Sequence, residues 1–212
     1  AHIRDCDAIV EVVRCFENAD IIHVEGNVDP IRDIEVINLE LVMADLDTVN
    51  KRIEKVENKA RIQKDKDSMF EMSILSPLKD ALLTGKPARS VRLSDEQEDF
   101  VKNNFHFLTK KPIIYVANVS EEDLMDIANC VNYQKVVEYA HAENNEVIPV
   151  SCEIESELSE LSEADRNEYL KELGIEESGL TKVIKATYRL LNLSTFFTVG
   201  ADECRAWTFK NG

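Results

Sequence analysis

Two short stretches carry residue types whose spacing could do chemistry. One is Asn118-Val119-Ser120-Glu121, at the end of the apolar run Lys111-Pro112-Ile113-Ile114-Tyr115-Val116-Ala117. The other is Ser151-Cys152-Glu153, directly after Glu146-Val147-Ile148-Pro149-Val150. An Asn amide both donates and accepts, while an ionised carboxylate only accepts, so an Asn-x-x-Glu corner can read the edge of a purine. Guanine-reading loops use Asn-Lys-x-Asp, the Asp accepting from N1–H and the exocyclic amine. Here Val119 stands in place of the Lys and Glu121 in place of the Asp. Adenine offers a donor at N6 and acceptors at N1 and N7, so a carboxylate loses half its match, and the extra methylene of Glu121 spoils a bidentate fit. The same residues also read as plain structure, with Asn118 ending a strand and Ser120 capping a helix that begins Glu121-Glu122-Asp123. On these residues alone both readings stand.

The elements that must position those loops are legible in the patterning. Asp7 to Phe16 is short, β-branched and mostly apolar, as a buried strand of a parallel sheet would be. A loop with His23, Gly26 and Asp29-Pro30 follows, and Pro30 suits a helix start. Val42, Leu46, Val49, Ile53, Val56 and Ala60 then recur at alternating four and three residues, a heptad-like seam. After the polar turn Gln63 to Asp67, a second helix is expected over 68–83, kinked by Pro77 near Ser73 and stopped by Gly85 and Pro87. The two form an antiparallel helical arm, too short for a long coiled coil. Ser94 and Gln97 form a capping box for a helix ending near Asn103-Asn104. A helix with Val131, Val136, Val137 and Ala140 inward leads from the second apolar run to the third. Ser162 caps a helix ended by Gly174, and Leu180 to Leu191 is one more, with Val183, Ile184, Thr187 and Leu191 inward. Alternation of strand and helix around a helical insert gives an α/β fold with a parallel sheet. Ser194 to Phe209 alternates as a β-hairpin, with nothing in the remaining residues to bury its face, as though the chain were cut there.

Composition excludes several classes. Among 212 residues, 44% are apolar and 31% charged, which suits a globular chain rather than a disordered one. A net charge of −16 leaves no broad basic face for coating DNA, although an RNA-containing partner can still dock on a small local patch. No run of about 18 apolar residues suggests a membrane span, and the charged start AHIRDCDA does not read as a signal peptide. Five scattered cysteines without a C-x-x-C pair suit reduced thiols in a cytoplasmic protein, and four scattered histidines suggest no metal site. The acids from Glu153 to Glu163 fit solvated helix faces rather than paired catalytic carboxylates. Cys152 has no neighbouring cation to lower its pKa. Trp207, Phe196 and Phe197 suit burial better than stacking on RNA bases.

Four segments carry a resemblance to a known family. DAIVEVVRCFENADIIHVEGNVDPIRDIEVINLEL resembles the central segment of the YchF family, the Obg-like ATPases, and KPIIYVANVSEED its altered base-recognition motif. PVSCEIESELSELS resembles the loop that closes over the base, and TFFTVGADECRAWTFKNG the start of a C-terminal TGS domain. The resemblance implies a P-loop NTPase sheet with an inserted helical arm, preferring ATP over GTP and binding ribosomes. It implies G-domain segments at 1–38 and 105–193, the arm at 39–104 and the start of the β-rich TGS domain at 194–212. Base-binding positions carried over are Asn118, Val119, Glu121, Ser151, Cys152 and Glu153. Where the family more usually has Ala and Lys, Cys152 and Glu153 stand, so Ser151 and backbone N–H groups are the safer contacts.

One departure is large. A phosphate loop needs G-x-x-x-x-G-K-[ST], and glycines occur only at 26, 85, 174, 179, 200 and 212, none opening such a motif. The resemblance therefore implies no catalytic residue and no metal ligand in these 212 residues, with Mg²⁺ expected only alongside the phosphate loop, and no hydrolysis of ATP by this stretch alone. Two other expectations compete: a GTP-binding Obg-type protein, and a non-enzymatic helical interaction module.

Overall fold

The structure is a computed structural model that describes residues 2–18 and 27–212, so the loop expected around His23 and Gly26 lies outside the described residues. The chain divides into two compact units, residues 1–7 with 34–111 and residues 8–33 with 112–212.

The first unit is helical. Helix α1 spans Pro30–Ile62, its first four residues belonging to the second unit, and α2 spans Lys66–Leu83. The expected seam is the buried one: Val42, Leu46, Val49 and Val56 share a core with Ile74, Leu75, Leu78 and Leu82 of α2. Asp65 caps α2 by accepting from the Ser68 N–H at 2.9 Å, and Gly85 follows the helix at φ 77°, where a Cβ would be strained. Helix α3, Asp95–Asn104, opens on the Ser94/Gln97 capping box read from the sequence. Phe100, Phe105 and Phe107 extend the core, the last two rings stacked with centroids 5.0 Å apart.

Buried polar groups in this unit are paired. Asp45, fully buried, accepts from the Leu108 N–H at 2.9 Å and from both the N–H and the hydroxyl of Thr109 at 2.8 Å. The Thr109 hydroxyl in turn accepts from the Ala88 N–H at 2.8 Å. Arg52 of α1 makes a bidentate pair with the buried Glu71 of α2, Nη2 to Oε2 at 2.8 Å and Nε to Oε1, and that bond raises the guanidinium pKa further.

The second unit holds a three-stranded parallel sheet in the order β1 (Ile9–Arg14), β2 (Ile113–Asn118), β3 (Glu146–Val150). The remaining helices are α4 (Glu121–Met125), α5 (Val131–Ala142), α6 (Cys152–Glu160), α7 (Glu163–Glu172) and α8 (Gly179–Leu190). Strand side chains alternate between faces. Ile114, Val116, Ile148 and Val150 pack under Ala186, Val183 and Leu190 of α8. From the opposite face Tyr115 meets Tyr139 of α5 edge-on, with centroids 6.2 Å apart. With helices on both sides, β2 is apolar and buried from Ile113 to Ala117.

Three sequence expectations need correction here. Val131 is 66% exposed rather than inward, because as first residue of α5 it lies about 140° around the helix from the buried Val136 and about 180° from the buried Ala140. Ile184 is 48% exposed, since the face of α8 that meets the sheet is Val183, Ala186 and Leu190. The first strand is buried on one face only: Ile9, Glu11 and Val13 point in, while Val10 and Val12 remain 41% and 62% exposed. The C-terminal residues form the expected antiparallel hairpin, β4 (Leu193–Val199) with β5 (Cys204–Lys210), and Phe196, Phe197, Trp207 and Phe209 stay exposed on it.

Candidate functional site

In a doubly wound sheet a ligand sits beyond the carboxyl ends of the strands. Both loops singled out from the sequence leave the sheet there and are tied to each other. The Asn118 carbonyl accepts from the Cys15 N–H at 2.8 Å, and the Val119 N–H donates to the Val150 carbonyl at 2.9 Å, so the ladder runs past the strand ends on both sides of β2. The Asn118 side chain crosses to the second loop, where its Oδ1 accepts from the Cys152 N–H at 3.1 Å. Among the described residues its Nδ2 meets no partner. The Asn132 Nδ2 donates to the Cys15 carbonyl at 3.1 Å, securing the end of β1 from the start of α5.

The two readings of the Asn118 corner turn out to be compatible. Asn118 does end β2, and Ser120 does cap α4, its hydroxyl oxygen accepting from the Asp123 N–H at 3.1 Å and its O–H donating to Asp123 Oδ2 at 2.7 Å. Neither job uses the Asn118 amide nitrogen. The Val119 side chain is buried at 2% exposure and its N–H is spent on Val150, leaving its carbonyl as the backbone group that faces no partner among the described residues. Glu121 is the first residue of α4 and half-buried.

In the second loop Ser151 is buried at 1% exposure and caps α6, its hydroxyl 3.5 Å from the Ile154 N–H. Cys152 and Glu153 are exposed in the first turn of α6. Partial burial, then the nearby Glu155 carboxylate, raises the Cys152 thiol pKa, so this cysteine is held as a thiol. Glu157 lies one turn beyond Glu153 on the same face of α6 and accepts from the Tyr169 hydroxyl of α7. That bond first, with the carboxylates of Glu121 and Glu153 contributing further, pushes the Tyr169 pKa up to about 12. Acids from both loops therefore converge near one α7 side chain, which no short sequence motif signals.

Among the described residues the corner thus offers an amide N–H₂ on Asn118 and a carbonyl on Val119 that meet no partner, with the carboxylates of Glu121 and Glu153 in the first turns of α4 and α6. Among the described residues no cluster of three His, Cys, Asp or Glu side chains could hold a metal ion. Behind the second loop, a cavity of about 430 Å³ lies among Leu124, Ile127, Ile154, Glu155, Gly179 and Lys182.

A parallel sheet clad by helices on both faces, with two loops joined beyond its carboxyl edge, is the core of the P-loop GTPase fold. No protein-family model matches the chain, but individual relatives do. It is 55% identical over 212 residues to the ribosome-binding ATPase YchF of Bacillus subtilis, 45% identical to that of Haemophilus ducreyi, and 44% identical over 211 residues to that of Escherichia coli O157:H7. Each alignment takes in 100% of this chain and 57% of the relative. A solved structure titled as the Schizosaccharomyces pombe YchF GTPase superposes with a TM-score of 0.85 at 34% identity, covering 99% of this chain and 56% of that one. The chain belongs to the YchF family and spans a little over half the length of the relatives it matches.

Proposed function

We propose that these 212 residues form the base-reading half of an ATP site, together with a partner-docking helical arm, in a ribosome-associated nucleoside triphosphatase. The observation that carries the reading is the 3.1 Å bond from the Cys152 N–H to Asn118 Oδ1. It engages the amide oxygen and leaves Nδ2 without a partner among the described residues, so that Nδ2 can donate to a ring nitrogen of adenine while the Val119 carbonyl accepts from the N6 amine. Bound nucleotide supplies the phosphoanhydride to be cleaved. This chain's residues orient the base. Phosphate and Mg²⁺ binding belong with a phosphate-loop motif, which these 212 residues do not include.

The domain reading continues as part of the proposal: G-domain segments at 1–38 and 105–193, an inserted arm at 39–104 and the beginning of a TGS domain at 194–212. Ribosome association is supported by the relatives, which are named ribosome-binding ATPases. A cleft of about 530 Å³ on the helical unit is lined by Arg4, Asp47, Lys51, Arg52, Lys55 and His106, with Lys51 paired to Asp47 and Arg52 to Glu71, so among the described residues Lys55 and His106 are the basic groups left there for a phosphate-bearing partner. No described helix is long and apolar enough to cross a membrane, and a cytoplasmic location is proposed with the rest.

A guanine reading is favoured by one observation, that the solved Schizosaccharomyces pombe relative is described as a GTPase. Competitive binding of ATP and GTP to the full-length protein separates the two. ATP is expected to win, and a clear preference for GTP overturns the assignment. The paired substitution Val119→Lys with Glu121→Asp is expected to move the ATP:GTP affinity ratio toward GTP by about tenfold. An unchanged ratio would place base reading on the backbone rather than on these side chains.

A further inference from the structure

The second loop is braced from behind by the first turn of α8. Gly179 is the first residue of α8, and Ser178 caps that helix, its hydroxyl oxygen accepting from the Thr181 N–H at 3.2 Å. Glycine is a poor residue inside a helix, and Gly179 is not among the glycines at positive φ. Conformational freedom therefore does not explain it.

Close approach does. A Cβ at position 179 would lie 2.9 Å from both methyl carbons of Val150 and 3.1 Å from Glu155 Oε1. In the space this leaves, the Gly179 N–H donates to Glu155 Oε1 at 2.6 Å. A carboxylate there satisfies one of the unpaired N–H groups at the start of α8 and complements its dipole. The two contacts flank the Ser151–Glu153 loop, one at the end of β3 and one in α6. The Val150 carbonyl accepts from the Val119 N–H, and Glu155 sits one turn beyond Ser151, its own N–H donating to the Ser151 carbonyl at 3.0 Å. Between Val150 and Glu155 lies Cys152, whose N–H holds the Asn118 amide.

We propose that Gly179 and Glu155 are positioning residues of the base site: the start of α8 presses on Val150 and grips Glu155, setting the angle of α6 and thereby the Cys152–Asn118 bond. They touch no nucleotide themselves. The inference rests on the base-site reading given above. It assigns nucleotide affinity to a residue pair on the far side of the loop from the ligand.

The test uses the full-length protein, with ATP affinity measured by calorimetry and folding followed by thermal melting. Gly179→Ala forces Val150 or α8 to move by several tenths of an ångström, and ATP affinity is expected to fall about tenfold, in line with the sensitivity of sites to sub-ångström misplacement. Adding Val150→Ala to Gly179→Ala removes both close methyls and is expected to recover most of the loss. Glu155→Ala is expected to weaken ATP about tenfold, while Glu155→Gln, which keeps an acceptor oxygen, stays within about threefold. Folded Gly179→Ala and Glu155→Ala proteins that bind ATP within twofold of the parent overturn the proposal. If Gly179→Ala fails to fold, the double variant and Glu155→Ala decide it by the same criterion. Asn118→Ala separates the two levels. If it weakens ATP while Gly179→Ala and Glu155→Ala do not, only the brace is wrong; if Asn118→Ala binds ATP like the parent, the base site itself is wrong and the brace falls with it.

Discussion

Asp45 in the helical unit and Glu11 in the sheet unit are both buried carboxylates, and they are treated in opposite ways. Asp45 has no exposed surface and three hydrogen-bond donors at 2.8–2.9 Å, with Arg4 Nη1 3.9 Å from Oδ1. Glu11 is 8% exposed and its Oε2 meets no donor among the described residues. Burial first, and the Glu143 carboxylate second, raise its pKa from 4.5 to about 7. The helical unit closes its polar groups on one another, as the Arg52–Glu71 pair and the Thr109 relay also do. The sheet unit keeps capacity open, at Glu11, at Asn118 Nδ2 and at the Val119 carbonyl. A unit whose buried polar groups are all partnered is built to hold a shape. Open donors and acceptors beyond the carboxyl edge of a sheet are where a ligand can be held.

The largest effect that would test this contrast is at Asp45. Replacing it with alanine strands the Leu108 and Thr109 N–H groups and the Thr109 hydroxyl in a buried site, and leaves Arg4 without its counter-charge. A loss of about 3–4 kcal/mol is expected in chemical denaturation of the 212-residue chain. A loss below about 1 kcal/mol would mean the helical unit is not held by this clasp, and the contrast would fail on its structural side.

Glu11→Gln should act in the opposite direction. The folded protein holds the Glu11 proton more tightly than the unfolded chain, so this group's contribution to stability is fully present below about pH 4.5 and is lost as pH rises through about 7. Glutamine removes the ionisation without much change of shape. Allowing for partial solvation at the sheet margin, the variant is expected to gain about 1–2 kcal/mol at pH 8 and almost nothing at pH 4. Denaturant melts at the two pH values check it; equal effects at both would show that ionisation of Glu11 carries no cost.

Much of this was legible in the sequence, and the parts that were not share a physical cause. Period and punctuation identified the arm seam from Val42 to Val56, the Ser94/Gln97 box and the three strands, because each depends on neighbours within a few residues. The orientation of Val131 and Ile184 was misjudged because apolar character does not say which side of a helix meets a sheet. Val10 and Val12 share the composition of a strand covered on both faces but have only one covered, which depends on what packs there. The Asn118–Cys152 bond spans 34 residues and joins a side chain to a backbone N–H whose residue type is immaterial, so no local pattern marks it. Gly179 was passed over for a similar reason: its requirement comes from Val150 and Glu155, 29 and 24 positions earlier in the chain.

The smallest predicted effect compares two helix caps of the same chemistry. Ser94 and Ser120 each accept from the backbone N–H three residues on, at 3.3 Å from Gln97 and 3.1 Å from Asp123. Each also has a second local bond, the Ser94 N–H to Gln97 Oε1 at 3.0 Å and the Ser120 hydroxyl to Asp123 Oδ2 at 2.7 Å. Alanine at either position is expected to cost about 1 kcal/mol of stability, the ordinary worth of a serine cap. Their effects on nucleotide affinity in the full-length protein should diverge. Ser94 caps α3 in the helical unit, where every partner is internal, so Ser94→Ala is expected to leave ATP affinity unchanged. Ser120 sits between Val119 and Glu121, and releasing the first turn of α4 frees the carboxylate of Glu121 and the carbonyl of Val119 together. Ser120→Ala is therefore expected to weaken ATP about three- to tenfold at an equal cost in stability. Equal affinities for the two variants would show that the Asn118 corner is only a strand end and a cap, and that its open polar groups read no base.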